Sequence, residues 1–180
     1  AFGVEPHDEY GSTEFNRMAW QCEEGRYHLD SDSIFFEFED TDYGKEPVCT
    51  SLIKTGMPIV RYRMEDIVEP VDVECECGRG LPVIEPPEGR IKNFINGVSP
   101  RKIIDSIAGI YDFEMFQVVK NEEEGIVLEY VPNNGFSPET VEKAKRSLAN
   151  LLGKEIDVEK KDYIEKTDGG KRPLVLNESN

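Results

Sequence analysis

The amino-acid sequence predicts an α+β protein in which a β-rich first half is followed by an α-β-β-α-β module. Short apolar runs with strand-like alternation dominate the first half, whereas the helix-start pairs Ser99-Pro100 and Ser137-Pro138 occur only in the second. Between the two halves, a cluster of prolines and glycines over residues 78–89 stops regular secondary structure. The predicted division is a first unit over residues 1–88, a hinge or plain linker over 89–100, and a second unit over 101–180.

The first half contains several short segments with the composition of strands. The aromatic run Ser33–Glu39 alternates in part, which predicts a strand with one solvated face. Farther along, Arg61 and Arg63 share one face of an alternating run, so this face is either a solvated edge or a site for an anion. The predicted strands are 30–39, 48–53, 58–68, 68–73 and 81–84.

The second half has clearer boundaries, because each helix has a start and a stop signal. Serine is a favourable N-cap and proline a favourable first helical residue, and Gly109 and Gly153 stand where the two helices are expected to end. An acidic turn over residues 121–125 joins two strand-like runs and predicts a hairpin. The predicted elements are a helix over 99–109, strands over 114–120 and 126–131, a helix over 137–153, and a strand over 155–158.

The composition excludes two classes of partner. Of 180 residues, 37 are acidic and 21 are lysine or arginine, which gives a formal net charge of -16. Nucleic acid and anionic membranes both require clustered cationic side chains, so neither is an expected partner. The sequence shows neither a long apolar run nor a signal peptide, and we expect a cytoplasmic protein. Because it begins with Ala1 and an apolar run rather than with methionine, we also expect a fragment whose upstream part is absent.

The four cysteines predict a metal site rather than disulfides, given the expected cytoplasmic location. Cys75 and Cys77 are too close in sequence to bridge each other without strain, but a tight turn can direct both thiolates at one metal ion. Cys22 and His28, with five residues between them, have the spacing of a second half-site. We therefore expect these four side chains to hold a structural zinc ion; the alternative is two unrelated turns with reduced thiols. Cys49 lies among apolar neighbours and is predicted to be a buried small residue.

Two glycine-containing segments could contact a phosphate group. Over residues 7–15, a glycine, hydroxyls and a carboxylate occur together, and such a turn could hold a phosphate and a magnesium ion. The alternative is a plain surface turn. Near the carboxyl end, Gly169-Gly170-Lys171 does not match the phosphate loop of nucleoside triphosphatases, but its lysine could act as a mobile positive charge. The alternative there is a frayed terminus.

Taken in order, these motifs resemble those of one enzyme superfamily. They are Tyr10-Gly11-Ser12-Thr13-Glu14, Arg61-Tyr62-Arg63-x-x-Asp66, Cys75-x-Cys77-Gly78-Arg79, Gly89-Arg90 and Gly169-Gly170-Lys171. The sequence is similar to adenylate-forming acyl-CoA synthetases, and among them to phenylacetate–CoA ligases and to coenzyme F-390 synthetases, which adenylylate a deazaflavin coenzyme. The resemblance implies the β-rich end of a large adenylation domain, then a hinge, then a small mobile lid domain, with the amino-terminal region of such an enzyme missing.

The resemblance assigns nucleotide-binding roles to residues of the first unit. It implies that Tyr10 lies against the nucleotide, that Gly11 belongs to the same turn, that Thr13 contacts the α-phosphate and that Glu14 ligates magnesium. Asp66 is expected to accept hydrogen bonds from both ribose hydroxyls, because a carboxylate has two acceptor oxygens. Some members of this branch also hold zinc through a cysteine, a histidine and a Cys-x-Cys pair, which supports the predicted zinc site.

The remaining implied roles concern the hinge and the lid. Arg90 is expected at the hinge near the ribose, and Lys92 is expected to be the pivot. Lys171 is the implied adenylation lysine, which bridges the carboxylate and the α-phosphate as charge develops in the transition state. In a second step the small domain swings about the hinge, Lys171 leaves, and an acceptor attacks the acyl-adenylate.

The resemblance also implies the cofactors and partners. They are ATP or AMP, magnesium, structural zinc, CoA as the acceptor, and a small carboxylic acid of aromatic type; a homodimer is compatible with them. Two alternatives stay open at this point. One is transfer of AMP to a deazaflavin hydroxyl without CoA, and the other is a non-enzymatic, zinc-stabilised module whose acidic surface binds a partner.

Overall fold

The computed structural model describes residues 3–4, 6–110, 112–167 and 169–179. The chain forms two compact units, Ala1–Glu88 and Gly89–Asn180. The predicted α+β class is confirmed, since the described part is rich in strands and contains two α-helices. The strands of the first unit are β1 (Glu9–Ser12), β2 (Asn16–Gln21), β3 (Tyr27–Leu29), β4 (Ile34–Thr41), β5 (Gly44–Ser51), β6 (Tyr62–Arg63), β7 (Asp66–Ile67), β8 (Pro70–Val71) and β9 (Val83–Ile84). The second unit contains β10 (Gly89–Arg90), a 3-10 turn (Ile91–Asn93), α1 (Pro100–Ser106), β11 (Phe113–Lys120), β12 (Ile126–Pro132), α2 (Pro138–Leu152), β13 (Asp157–Lys160) and β14 (Val175–Asn177).

The first unit is built from two antiparallel sheets. One sheet has the order β1-β2-β3-β9-β8 and the other the order β4-β5-β6. Each sheet contributes to two small clusters of buried apolar side chains, one around Met18 and Ile34 and the other around Tyr27 and Val68. Tyr10 and Phe36 pack against both clusters. The strands therefore share a continuous apolar interior that fixes the loops between them.

The amino-terminal part of this unit was predicted as turn and loop, and that prediction is wrong. The segment predicted as a polar turn contains β1, which pairs with β2 across a bulge between Tyr10 and Gly11. Cys22 and His28, for which no strand was predicted, lie directly after one strand and within another. Cys22 ends a strand pairing and His28 is in the middle of β3, with a short turn at Gly25 between them. β1 and β3, with four and three residues, offer too little alternation to be recognised.

The predicted strand over 58–68 is reduced to β6 and β7, with two residues each. Arg61 and Glu65 have φ angles of +49° and +58°. These left-handed conformations interrupt the extended chain just before Tyr62 and just before Asp66. As a consequence the segment turns twice, and the second turn presents Asp66 at its end.

The second unit agrees closely with the prediction. Its sheet has the order β13-β12-β11-β14, with the predicted hairpin β11-β12 at the centre and parallel strands on either side. The side chain of Ser99 caps α1 by accepting a hydrogen bond from the backbone N–H of Lys102 at 3.2 Å. The last strand, β14, was not predicted. It is three residues long and lies next to β11.

Both helices of the second unit pack on its sheet through apolar side chains. Ile103 in α1 and Ala144 and Leu148 in α2 are fully buried, together with Val118 and Leu128 of the central hairpin. Gly153 has a φ of +65° and ends α2, as predicted from its position. Neither helix in the described ranges is long and apolar enough to span a membrane.

Candidate functional site

Four potential metal ligands converge in the first unit. The Sγ atoms of Cys22, Cys75 and Cys77 and one ring nitrogen of His28 all lie within 4.8 Å of one another. Sγ of Cys22 is 3.7 Å from Sγ of Cys75, and Sγ of Cys77 is 3.3 Å from Nε2 of His28. The structure thus brings together the four residues that spacing alone left ambiguous.

Two loops and two strands hold this cluster. Cys22 follows β2, and its backbone N–H and C=O bond to Arg26 and Gly25 across the tight turn that leads into β3. Cys75 and Cys77 come from the loop between β8 and β9, where the N–H of Gly78 donates to the C=O of Cys75. Since β3 pairs with β9, the two half-sites are brought to the same end of one sheet.

The ring of His28 is oriented by the backbone. His28 is fully buried, and its Nδ1 lies 3.3 Å from the carbonyl oxygen of Leu81. A tautomer with the proton on Nδ1 donates to this carbonyl and turns the lone pair of Nε2 toward the thiols. A partner on the second ring nitrogen is typical of histidines that ligate metals, because it fixes the tautomer and the ring plane.

The two thiols of the Cys-x-Cys pair differ in acidity. Desolvation raises the pKa of Cys77. Hydrogen bonds from the backbone N–H and the guanidinium of Arg79 and from the thiols of Cys75 and Cys22 lower it by a larger amount, so that the pKa is about 6. For Cys75, the N–H of Cys77 lowers the pKa, whereas desolvation and the thiols of Cys77 and Cys22 raise it, to about 11. Arg79 is itself held by Glu23, 2.6 Å away. Thiols this close together are typical of metal sites, where the bound ion replaces their protons.

The donor set fits zinc. A tetrahedral zinc ion with Zn–S bonds of about 2.3 Å separates its sulfur ligands by about 3.8 Å, close to the 3.7 Å between Cys22 and Cys75. Three thiolates and one imidazole form a closed set of four ligands, which is typical of structural rather than catalytic zinc. The fourth cysteine, Cys49, is fully buried as predicted, and desolvation raises its pKa to about 12, so it is an inert apolar side chain.

Two of the residues predicted to bind the nucleotide, Tyr10 and Asp66, are in contact. The hydroxyl of Tyr10 donates to Oδ2 of Asp66 at 2.9 Å, although the two residues are 56 positions apart. Asp66 is half-buried, and it follows a left-handed residue at the end of the turn from β6. A carboxylate fixed at the surface in this way has the geometry to accept hydrogen bonds from a diol.

A buried carboxylate supports the turn that carries Asp66. Glu46 in β5 is 2% exposed. One of its oxygens accepts from the backbone N–H of Glu65 at 3.0 Å, and the other is bonded to the guanidinium of Arg63. Glu39 binds the other side of Arg63 at 2.6 Å. Both carboxylate oxygens of Glu46 are thus hydrogen-bonded, as the burial of a charged group requires.

Arg61 and Arg63, which the sequence offered as a possible anion site, are both paired with carboxylates. Arg61 contacts Glu37 at 3.6 Å and Glu39 at 3.0 Å. With Arg63 held by Glu39 and Glu46, both guanidinium groups are paired with carboxylates of the same unit. The arrangement corresponds to the solvated-edge interpretation, and the arginines serve to hold the strands and the Asp66 turn.

The turn between β1 and β2 contains the other predicted ligands. Thr13 is exposed, and Glu14 is half-buried with Oε1 3.4 Å from the hydroxyl of Tyr62 and its backbone carbonyl bonded to Nζ of Lys54. Gly11 has a structural reason to be glycine, because a Cβ atom there would lie 2.2 Å from the carbonyl oxygen of Asn16. The close approach of the two strands therefore requires glycine whether or not a phosphate binds.

The other predicted residues lie in the second unit. Arg90 is half-buried in β10, and Lys92 is exposed in the 3-10 turn that follows. Lys171 is exposed in the loop that precedes β14. This loop is hydrogen-bonded: the N–H and the hydroxyl of Thr167 both donate to the carbonyl oxygen of Lys171, at 2.8 and 2.9 Å. These hydrogen bonds hold Thr167 and Lys171 together, which the alternative of a frayed terminus does not predict.

Three supporting residues were not predicted from the sequence. The carbonyl of Leu81 orients His28, Glu46 holds the Asp66 turn, and Thr167 closes the Lys171 loop. A backbone carbonyl carries no sequence signal. The only available hint for Glu46 was a lone acidic residue next to the apolar run Pro47-Val48-Cys49, where a charge has to be paired.

Comparisons with known proteins identify the fold. No protein-family model and no curated protein matches this chain. Among solved structures, it is similar to 2-hydroxyisobutyryl-CoA ligase in complex with 2-HIB-AMP, with a TM-score of 0.75 and 22% sequence identity, over 96% of this chain and 42% of that one. It is also similar to ATP-bound MatB from Rhodopseudomonas palustris, with a TM-score of 0.57 and 16% identity, over 93% of this chain and 39% of that one. A third match, IdnL7, has a TM-score of 0.50 and 14% identity over 93% of this chain.

These similarities define a class of fold. The chain shares its fold with part of each of these solved structures, and the resemblance in the sequence predicted a fold of this kind. It spans about two fifths of the length of the ligases that it matches, since 42% of 2-hydroxyisobutyryl-CoA ligase is covered.

Proposed function

We propose that this chain is the carboxyl-terminal part of an ATP-dependent adenylate-forming ligase that activates an aromatic carboxylic acid, as phenylacetate–CoA ligases do, and transfers it to CoA. The observation that carries the proposal is the hydrogen bond between Tyr10 and Asp66. It joins two motifs that are distant in sequence and that the resemblance assigns to one nucleotide site. The fold, which is shared with 2-hydroxyisobutyryl-CoA ligase in complex with 2-HIB-AMP and with ATP-bound MatB, supports the same proposal.

In the proposed site, the first unit binds the nucleoside and the metal. Asp66 accepts from the ribose hydroxyls, and Tyr10 holds its carboxylate in place while lying against the nucleotide. Thr13 donates to the α-phosphate, and Glu14 supplies a hard oxygen ligand for magnesium, which suits that ion. Gly11, two residues before Thr13, allows the close approach of its backbone to the carbonyl oxygen of Asn16 in the facing strand.

The proposed chemistry proceeds in two steps. A carboxylate oxygen of the acid attacks the α-phosphorus of ATP, and the bond to pyrophosphate breaks. Lys171 neutralises the negative charge that develops between the carboxylate and the α-phosphate. The thiol of CoA then loses its proton and attacks the acyl carbon, and AMP leaves. We propose that Lys171 acts in the first step only, and that Arg90 and Lys92 form the hinge that removes it before the second.

The zinc cluster has a structural role in this proposal. Its four side chains would complete the coordination of the ion and leave no position for a substrate, which separates it from the reacting atoms. It would join the loop between β8 and β9 to the β2-β3 turn, a connection that otherwise rests on short strands.

Exposed apolar side chains support the proposal that further protein covers the first unit. Leu52, Ile53, Met57 and Val60 are 55%, 65%, 72% and 68% exposed and lie in one loop between β5 and β6. Exposed apolar groups concentrated in one segment are typical of surfaces that bind other protein. The amino-terminal region of the same enzyme is the proposed partner.

The direct test is ATP–pyrophosphate exchange by the complete enzyme to which this chain is proposed to belong, with phenylacetate and other aromatic acids supplied in turn. We expect exchange with at least one aromatic acid, and a loss of about a hundredfold or more in Lys171→Ala because a transition-state charge is left uncompensated. Lys166→Ala, which removes an exposed lysine of the same loop, is the matched control and should retain exchange. Absence of exchange with every acid, in folded protein that contains zinc, would contradict the proposal.

The acceptor is tested separately. After the acid is activated, CoA should release AMP and form a thioester, whereas a deazaflavin alcohol should not become adenylylated. If the deazaflavin alcohol is adenylylated and no CoA thioester forms, the enzyme still activates its substrate with ATP, but the acceptor is a hydroxyl group rather than CoA.

A further inference from the structure

The loop that carries Lys171 is closed by one residue. The N–H and the hydroxyl of Thr167 both donate to the carbonyl oxygen of Lys171, and the N–H of Gly170 donates to the carbonyl oxygen of Thr167 at 2.7 Å. Thr167 is therefore joined to Lys171, four positions later, by two hydrogen bonds to the same carbonyl oxygen. Gly170 has a φ of +74°, a conformation that lets the chain reverse within this short loop.

The chain is fixed again immediately after Lys171. The guanidinium of Arg172 lies 4.7 Å from the ring centroid of Tyr163 and is hydrogen-bonded to its hydroxyl. The carbonyl oxygen of Pro173 accepts from Nε2 of Gln117 at 2.6 Å. Gln117 is 6% exposed and belongs to the central strand β11. The residues that follow Lys171 are thus attached to the sheet of the second unit.

Between these two attachments the side chain of Lys171 is exposed, and its Nζ forms no hydrogen bond or ion pair with the residues that the structure describes. A lysine with a fixed backbone and an unengaged ammonium group loses less entropy when it binds an anion than the same lysine on a disordered chain. A positive charge that is already in position also stabilises a transition state more than one that must first move into place.

We infer that Thr167 is a positioning residue for Lys171, and that its hydroxyl sets the rate of adenylation but not the rate of acyl transfer. This inference rests on the proposed function, because it assumes that Lys171 acts on the developing charge. Thr167 does not touch the substrate. It acts by holding the carbonyl of Lys171, while Gln117 holds the chain two residues later.

The test compares the two half-reactions in Thr167→Val, which keeps the shape of the side chain and removes its hydroxyl. We expect ATP–pyrophosphate exchange to fall about three- to tenfold, the range that corresponds to one net hydrogen bond. Thioester formation from preformed acyl-adenylate and CoA should be unchanged, because Lys171 has left by then. Thr167→Ser keeps the donor and should restore exchange. A merely structural role would lower both half-reactions together.

A second measurement uses the 180-residue chain itself. Amide hydrogen exchange at Thr167 and Gly170 should be slowed in the unsubstituted chain, because both N–H groups donate to carbonyls of the loop, and Thr167→Val should accelerate it. Gln117→Met should do the same from the other side of Lys171.

The outcomes separate the inference from the proposed function. If Lys171→Ala abolishes exchange but Thr167→Val leaves it unchanged, or lowers both half-reactions equally, the inference is overturned and the proposed function stands. If Lys171→Ala leaves exchange intact, the proposed function fails and the inference fails with it. A selective loss in Thr167→Val with recovery in Thr167→Ser supports both.

Discussion

The phenol hydroxyl of Tyr10 donates to the carboxylate of Asp66 across 2.9 Å and 56 residues of sequence. Tyr10 lies at a bulge of β1, and Asp66 lies at the end of a turn that Glu46 holds. The bond therefore fixes the carboxylate from one side while the backbone fixes it from the other. A preorganised acceptor of this kind reduces the cost of binding a ribose diol.

Replacement of Asp66 by asparagine should weaken nucleotide binding in the proposed enzyme. The substitution keeps the shape of the side chain and removes the charge that strengthens hydrogen bonds to hydroxyls, so we expect the KM for ATP to rise about tenfold to a hundredfold. Tyr10→Phe, which removes only the positioning bond, should raise it about twofold to tenfold. Asp72→Asn, an exposed carboxylate of the same unit, is the control. An unchanged KM in Asp66→Asn would place the ribose elsewhere.

The cysteine and histidine cluster should contain one zinc ion per chain when the protein is purified without chelators. Cys75→Ser should abolish zinc binding and lower the melting temperature by about 10 °C or more, since each lost kcal/mol shifts the Tm of a unit of this size by about 4–8 °C. Cys49→Ala removes a thiol outside the cluster and should leave the zinc content unchanged. Acid should release the metal as thiolates and imidazole take up protons. Metal-free protein with an unaltered melting temperature would refute the site.

The elements of the second unit could be predicted from the sequence because its signals are local. Ser99 and Pro100 define the start of α1 within two positions, and Gly153 ends α2 with a left-handed conformation. Such signals act over one turn of chain and do not depend on distant partners. The short elements were missed: β10 and the 3-10 turn fall in the predicted hinge, and the three residues of β14 form a strand because β11 lies beside them.

The first unit depends on distant partners, and its strands could be predicted only in part. Positive φ angles occur at Asn16, Arg61 and Glu65. Non-glycine residues rarely adopt such angles, so they could not be predicted from the residue types. The four residues of the metal-ligand cluster were recognisable because cysteine and histidine are chemically distinctive. The supports of the site, Glu46 and the carbonyl of Leu81, became visible only when folding brought them to their partners.

Loss of the buried charge at Glu46 should destabilise the first unit much more than loss of an exposed one. Glu46→Gln leaves Arg63 without its buried partner, and we expect a decrease of about 3–5 kcal/mol in the free energy of unfolding. Glu39→Gln removes the more exposed partner of the same arginine, and should cost less than about 1 kcal/mol. Denaturant unfolding of both variants measures the difference. Equal effects would mean that Glu46 is not held as the structure describes.

Gly11 should be intolerant of alanine, and the cause should be steric rather than a lost phosphate contact. A Cβ atom at this position would lie 2.2 Å from the carbonyl oxygen of Asn16, so β1 and β2 must separate. We expect a destabilisation of about 2–4 kcal/mol in denaturant unfolding without any nucleotide present. Gly56→Ala is the matched control, because nothing lies within 4 Å of a Cβ there and its φ is not positive; it should change stability by about 1 kcal/mol or less. If Gly11→Ala were as stable as Gly56→Ala yet bound ATP poorly, the glycine would serve the phosphate directly. We expect Gly11→Ala to lose stability, and to bind ATP weakly only because of that loss. This result would show that the β1-β2 hairpin places Tyr10 against Asp66.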